Sequence, residues 1–211
     1  PYVYVDSTID GTFPLAYFTS DLYTCGYLMG KLLDTITPAD SEYALFQAIR
    51  VGDSSANTTI LRKQGLMDYL TEHDQAKRLH RVSFSVMEPE RNDEIIGDFF
   101  EQHPQVRGAV VLSSRSSVIA SYLHAHGIDH VKLIGIDLTE SNCRELRNRN
   151  IDFVLGQRPE QQGYMAVKAL IQYLIYGSKV KCENIMPLDI VTRENLDRYN
   201  EFSEVAYVDP K

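Results

Sequence analysis

Strand and helix patterns alternate along most of this 211-residue chain. The predicted strands at 108–112 and 131–136 are apolar at nearly every position, which is typical of strands covered on both faces, as in parallel sheets. Single predicted helices separate successive strands, which favours right-handed βαβ units. The sequence therefore predicts an α/β fold with an open, doubly wound, mostly parallel sheet and helices on both faces. Strands are predicted at 1–5, 17–18, 43–49, 81–86, 108–112, 131–136, 151–155 and 188–191, and helices at 22–33, 60–70, 93–102, 116–126, 141–147 and 160–176.

Composition excludes several classes of protein. Hydrophobic residues make up 44% and charged residues 24% of the chain, close to the averages of globular domains. The net charge of −8 makes the chain itself a poor partner for nucleic acid. No apolar run is long enough for a transmembrane helix, and the first residues lack the features of a signal peptide, so no membrane partner is expected.

Motifs for catalysis or for cofactor binding are lacking in the sequence. Residues 26–31 read GxxxGK, which is one residue short of a phosphate-binding loop. His124 and His126 are two residues apart, poor spacing for a metal site on one helical face, and the three cysteines have no CxxC spacing. We therefore expect no cofactor, no metal, no catalytic residue, and free thiols that are buried or half-buried.

Hydrogen-bonding side chains follow the predicted strands or begin the helices. In an open α/β sheet, ligands bind outside the carboxyl ends of the strands. Arginine donates paired hydrogen bonds, aspartate accepts them, and glutamine and serine do both, so this set suits a neutral sugar or polyol. Each residue also has a purely structural interpretation, as a helix cap, a surface ion pair or a loop residue. The candidates are Arg62, Ser113, Asp137, Gln157 and Asp21, with Arg158 beside Gln157.

Seven short segments carry a further pattern, in a fixed order along the chain. They are 1–6 (PYVYVD), Ser20-Asp21 with Gly26, 60–65 (ILRKQG), 103–114 (HPQVRGAVVLSS), 133–137 (LIGID), 156–163 (GQRPEQQG) and 189–195 (DIVTREN). Together they resemble the effector domains of LacI/GalR-type transcriptional regulators and the periplasmic sugar-binding proteins, over nearly the whole chain to about Asn195.

This resemblance implies a periplasmic-binding-protein-like fold of type I, with two lobes joined by three crossovers. It implies ligand contacts from Arg62, Asp137 and Gln157, with Ser113 at a position usually held by asparagine and Asp21 on the hinge-side wall. Residues 1–19 and 157–183 would be the remnant of an N-terminal lobe whose first part is missing. Residues 20–156 and 184–196 would form the complete C-terminal lobe, and 197–211 a tail.

The resemblance also implies a function. The leading interpretation is the sugar-sensing domain of a cytoplasmic LacI-type regulator, which is a homodimer and contacts DNA only through a missing N-terminal helix-turn-helix. An extracytoplasmic sugar- or solute-binding protein, or a receptor sensor domain of the same fold, is the alternative. An enzyme on a doubly wound sheet is a remote third.

Overall fold

The computed structural model describes residues 1–49 and 57–203. A polar loop predicted at 52–57 lies outside these residues except for Asn57, and so do residues 204–211 of the predicted tail. The strands are β1 (Val3–Val5), β2 (Ala16–Ser20), β3 (Glu42–Ile49), β4 (Leu79–Ser85), β5 (Val106–Val111), β6 (Lys132–Ile136), β7 (Phe153–Gly156), β8 (Glu183–Met186) and β9 (Asp189–Val191). The α-helices are α1 (Leu22–Ile36), α2 (Asn57–Glu72), α3 (Asn92–Gln102), α4 (Ser116–Ala125), α5 (Glu140–Arg147), α6 (Pro159–Leu174) and α7 (Leu196–Ser203), and short 3₁₀ helices cover Ala76–Arg78 and Pro89–Arg91.

The predicted α/β class is confirmed, and most predicted elements are present with shifted ends. Besides the short 3₁₀ helices, one strand and one α-helix were not predicted from the sequence. Strand β8 has only four residues with alternating exposure, which gives almost no apolar signal. Helix α7 lies largely in the segment that the sequence left as a tail. Among the described residues, no helix has both the length and the apolar character needed to cross a membrane.

The first of two compact units contains Pro1–Asp21 and the described part of 157–211. It holds a three-stranded parallel sheet in the order β1-β2-β8, with Phe18 of β2 opposite Asn184 of β8. Residues 184–186, which the sequence placed with the C-terminal lobe, thus pair with β2 instead. The remaining lobe boundaries stay a prediction.

Helix α6 covers the first unit's sheet through small residues. Ala166 and Ala169 pack against Ala16 and Phe18 of β2. Much of the remaining apolar surface of the helix, including Val167, is exposed. Leucine and tyrosine residues of the same helix are also exposed. The exposed large side chains of α6 are Tyr164, Val167, Ile171, Tyr173 and Leu174.

The second unit, Leu22–Gly156, holds a parallel sheet in which the strands follow the order β4-β3-β5-β6-β7. The strand centres are fully buried, as at Leu45, Val110 and Ile134, because helices cover both faces. All five strands run in the same direction, so their carboxyl ends lie along one edge of the sheet. The loops that follow β5 and β6 are therefore neighbours at that edge.

Two glycines bring α1 and α2 into backbone contact. A Cβ added at Gly26 of α1 would collide with the backbone of Arg62 in α2. A Cβ added at Gly65 of α2 would collide with the backbone of Tyr23 and Tyr27 in α1. Only glycine permits so close a crossing, and this crossing sets the position of the helical turn that carries Arg62.

Gly26→Ala should therefore destabilise the chain, because the new methyl group forces the two helices apart. Overpacking of this kind costs about 1–3 kcal/mol of unfolding free energy, measured by urea denaturation. Gly163→Ala in α6 is the matched control, since a Cβ there meets nothing within 4 Å. This control should stabilise by about 0.5–1 kcal/mol, the usual gain from replacing a helical glycine. Equal effects of the two substitutions would contradict the close crossing.

The three cysteines differ in environment, and all are free thiols. Cys25 and Cys143 are buried as expected, whereas Cys182 is exposed. Burial raises the pKa of the Cys143 thiol, so that both access and thiolate fraction are reduced there.

An aromatic disulfide reagent should accordingly label one thiol quickly in the native chain and the other two only after unfolding. The absorbance of the released thiolate measures both phases. Cys182→Ser should abolish the fast phase. A fast phase that survives this substitution would show that Cys25 or Cys143 is accessible.

Candidate functional site

Arg62 is buried at the carboxyl edge of the second unit's sheet. Only 5% of its surface is exposed, and its Nη1 donates a hydrogen bond of 3.1 Å to the carbonyl oxygen of Leu112. Leu112 directly follows β5. The burial of Arg62 does not fit a surface ion pair, which was its structural alternative. The carboxylates of Asp68 and Glu72 on the same helix accept from Tyr23 and Tyr27.

Ser113 follows Leu112, so it lies next to the carbonyl that Arg62 contacts. Its Oγ is buried and has no hydrogen-bond partner among the described residues. Capping of α4 was the structural alternative for this serine, but the residue at the N-cap is Arg115 and no side chain caps the helix. A buried hydroxyl without a partner costs about 1–3 kcal/mol, so Ser113 has a hydrogen-bonding capacity that a ligand can use.

Asp137 follows β6 in the left-handed backbone region, with φ of 68°. Its N–H donates to the carbonyl of Leu155 at 3.0 Å, which ties the end of β6 to β7. The structural alternative was that Asp137 caps the next helix. That cap is Thr139, whose side chain accepts from the N–H of Asn142, so Asp137 is not the N-cap of α5.

Asn142, a residue that the sequence did not single out, joins the two loops. This fully buried side chain accepts a hydrogen bond from the N–H of Ser117 at 2.9 Å. Its Nδ2 lies within donating distance of the carbonyls of Ser114, Ile136 and Asp137, at 3.2, 3.0 and 2.9 Å. The loops that carry Ser113 and Asp137 are thereby held together by one amide.

In the first unit, Gln157 and Asp21 are brought near each other through Ser20. The carbonyl of Gln157 accepts from Ser20 Oγ at 3.3 Å and from Gln162 Nε2 at 2.8 Å. Gln162 is itself almost fully buried, and its Oε1 accepts from the N–H of Asp6 at 3.1 Å. Gln157 is buried, whereas Asp21 is exposed.

Arg158, grouped with Gln157 in the sequence, has a structural partner. Its Nε and Nη2 each donate to a carboxylate oxygen of Asp189 at 2.6 Å. These hydrogen bonds raise the pKa of Arg158, and burial together with Asp189 raises the pKa of Tyr199 to about 12. Arg158 therefore links the start of α6 to β9, which is a structural role but not a side-chain cap of the following helix.

The structure thus brings the candidates together in two groups. Arg62, Ser113 and Asp137 belong to the second unit, and Gln157 and Asp21 to the first. Their roles as ligand contacts stay predictions.

Comparison with known proteins assigns the chain to a family. A model described as "Periplasmic binding protein domain" matches residues 1–179, which is most of the chain. The chain belongs to this family. Its members share the fold that the sequence pattern predicted, and the carboxyl-edge loops described above are where an open α/β sheet binds ligands.

One curated protein similar in sequence to this chain is the "Xylose/arabinose-binding protein XylF" of Sulfolobus acidocaldarius. It is 26% identical over 193 residues, covering 88% of this chain and 46% of the relative. The chain therefore spans about half the length of that protein.

Two solved structures extend the comparison. A Bacteroides fragilis protein, provisionally assigned as a LacI transcriptional regulator, is 32% identical with a TM-score of 0.89, covering 94% of this chain and 69% of that one. GanP, a glucose-galactose binding protein from Geobacillus stearothermophilus, is 22% identical with a TM-score of 0.75, covering 93% and 69%. The second likeness shows the fold alone. These relatives are binding proteins or a regulator, which points away from an enzyme.

Replacing Asn142 by alanine should loosen both carboxyl-edge loops, because several buried backbone groups lose their partner at once. We expect a loss of about 2 kcal/mol or more of unfolding free energy, since each buried group left unsatisfied costs about 1–3 kcal/mol. Asn150→Ala is the control, because that amide donates to one partner, Glu145, at 2.8 Å. Denaturation curves compare the two variants, and similar losses would argue against the linking role of Asn142.

Proposed function

We propose that this periplasmic binding protein domain binds a sugar through the carboxyl edge of its second unit. The observation that carries the proposal is the buried guanidinium of Arg62, fixed on the Leu112 carbonyl beside the unpartnered hydroxyl of Ser113. The curated relative named for xylose and arabinose binding supports the class of ligand.

The chemistry of the three side chains suits a polyhydroxylated ligand. Arg62 carries five N–H groups in a planar fork, a geometry that suits paired donation to vicinal hydroxyls. Asp137 accepts from hydroxyls, and Ser113 both donates and accepts. Serine is shorter than the asparagine usual at this position, so it leaves room for a larger substituent or for a bridging water.

We further propose that the protein is a LacI-type regulator located in the cytoplasm. The Bacteroides fragilis structure supports this choice, because its identity of 32% and TM-score of 0.89 exceed the 22% and 0.75 of the sugar-binding GanP. In this proposal the protein forms a homodimer, and DNA is bound by a helix-turn-helix that the chain does not include. The sugar then shifts the dimer between states by its difference in affinity for them.

A sugar-binding protein outside the cytoplasm, or a receptor sensor, is the second candidate. The similarity to XylF favours it. Binding of the full-length gene product to its own promoter DNA, with and without sugar, separates the two. Sugar-dependent DNA binding supports the regulator, whereas recovery of the protein outside the cytoplasm without DNA binding supports the alternative.

Arg62→Ala should weaken sugar binding by about 1.5–3 kcal/mol, the range for hydrogen bonds to charged groups. Calorimetry with D-xylose, L-arabinose, D-glucose and D-galactose on the full-length gene product measures the effect on whichever sugar binds. Arg107→Ala is the matched control, because that guanidinium donates to the carbonyls of Pro104 and Val106 near the start of β5. Unchanged affinity in the Arg62 variant would remove this residue from the site.

A further inference from the structure

A second cluster of chemically active side chains lies at the opposite edge of the same sheet. Glu42 begins β3, His80 is the second residue of β4, and His103 directly follows α3. The strands are parallel, so this edge is the amino-terminal one, away from Arg62 and Ser113. One potential ligand atom from each of the three residues lies within 4.8 Å of the others.

The backbone fixes where these three side chains meet. His80 is paired in register with Ala44 of β3, and residues two apart on a strand share a face, so Glu42 and His80 are on the same side of the sheet. The pairing of β3 with β5 shifts register between Glu42 and Tyr43, an irregularity of the kind that redirects a side chain at a strand end. The Nε2 of His80 is 2.8 Å from Oε2 of Glu42.

His103 is held against this pair from the helix side. Its backbone N–H donates to the carbonyl of Phe99 at 2.9 Å, which ends α3. The ring of Phe99 packs against both imidazoles, with centroid distances of 6.3 Å to His80 and 4.8 Å to His103. The two imidazole centroids are 4.0 Å apart. An apolar wall thus backs a pair of imidazoles and one carboxylate.

We propose that Glu42, His80 and His103 bind a divalent zinc ion. Two imidazole nitrogens and one carboxylate oxygen are a donor set that Zn²⁺ takes in proteins, with a further position left for water. Hard ions such as Mg²⁺ and Ca²⁺ prefer oxygen ligands throughout. The side chains of His80 and Glu42 are 28% and 35% exposed, so an ion can enter while the ligands remain partly shielded from solvent.

Binding requires a small adjustment of the two rings. Two imidazoles ligated at a tetrahedral angle have centroids about 5 Å apart, given Zn–N bonds of about 2.0–2.1 Å. The rings therefore separate by about 1 Å from their stacked position, which rotation of the half-exposed His103 side chain allows. The bound ion then links β3, β4 and the end of α3. Among the described residues, these three are the one group of His, Cys, Asp or Glu side chains close enough to share a metal ion.

The test is a calorimetric titration of the 211-residue chain with Zn²⁺, in a Cys182→Ser background that removes the exposed thiol. We expect one Zn²⁺ per chain and much weaker binding of Mg²⁺. Changing even an indirect partner of a metal ligand costs 10–100-fold in affinity, so His80→Gln, His103→Gln and Glu42→Gln should each weaken Zn²⁺ binding at least about tenfold. His124→Gln, at an exposed position on α4, is the control and should bind as the background does.

A second measurement uses the background chain alone, so it does not require the ligand variants to fold. Imidazole ¹⁵N NMR spectra of the background chain should show Zn²⁺-induced shifts for His80 and His103 but not for His124. A loss of Zn²⁺ affinity below tenfold in either histidine variant overturns the proposal. So do NMR spectra in which the imidazole ¹⁵N signals of His80 and His103 do not shift when Zn²⁺ is added.

Discussion

The backbone contact between α1 and α2 is the constraint on which the candidate site depends. Gly26 and Gly65 each meet the backbone of the opposite helix, so neither helix can slide without a collision. Arg62 lies on α2 within this crossing, and its position along the helix is therefore set by backbone contacts. From a helix backbone fixed in this way, the guanidinium of Arg62 donates to the carbonyl of Leu112, which directly follows β5.

The polar arrangement at the carboxyl edge also depends on hydrogen bonds to the backbone. Asn142 contributes an amide that bonds to backbone groups of two loops, while Thr139 rather than Asp137 caps α5. The hydrogen bonds that hold these loops are thus made by Asn142 and Thr139, which are not among the candidate ligand contacts. Neither Ser113 nor Asp137 is at the N-cap of the helix that follows it, so the capping alternative fails for both residues.

The sequence predicted the fold class well because its signal is local. Runs such as 108–112 and 131–136 are apolar at consecutive positions, and burial on both faces of a parallel sheet requires that pattern. Strand β8 was missed because its four residues alternate between exposed and half-buried. The outward apolar face of α6 was not foreseen either, because Ala166 and Ala169, which pack inward, are too small to dominate a hydrophobic pattern.

The candidate site was predictable in part. The rule that ligands lie at strand ends identified Arg62, Ser113 and Asp137 from their positions. The structure joins the loops of Ser113 and Asp137 and places the guanidinium of Arg62 on the carbonyl of Leu112. Asn142 was not predictable, since a single polar residue in a short helix has many possible partners. The cluster of Glu42, His80 and His103 was not predictable from the sequence for a related reason. Glu42 and His80 are 38 residues apart along the chain, and only strand register brings them together.

The hydrogen bonds of Asn142 also bear on how such a domain can change its ligand. Among the described residues, every partner of its side-chain amide is a backbone atom, and backbone groups are supplied in full by every residue type except proline. Side chains at 113 and 137 can therefore be exchanged during evolution without loss of the loop scaffold. A descendant of this chain can thus change both side chains and keep the amide that holds their loops.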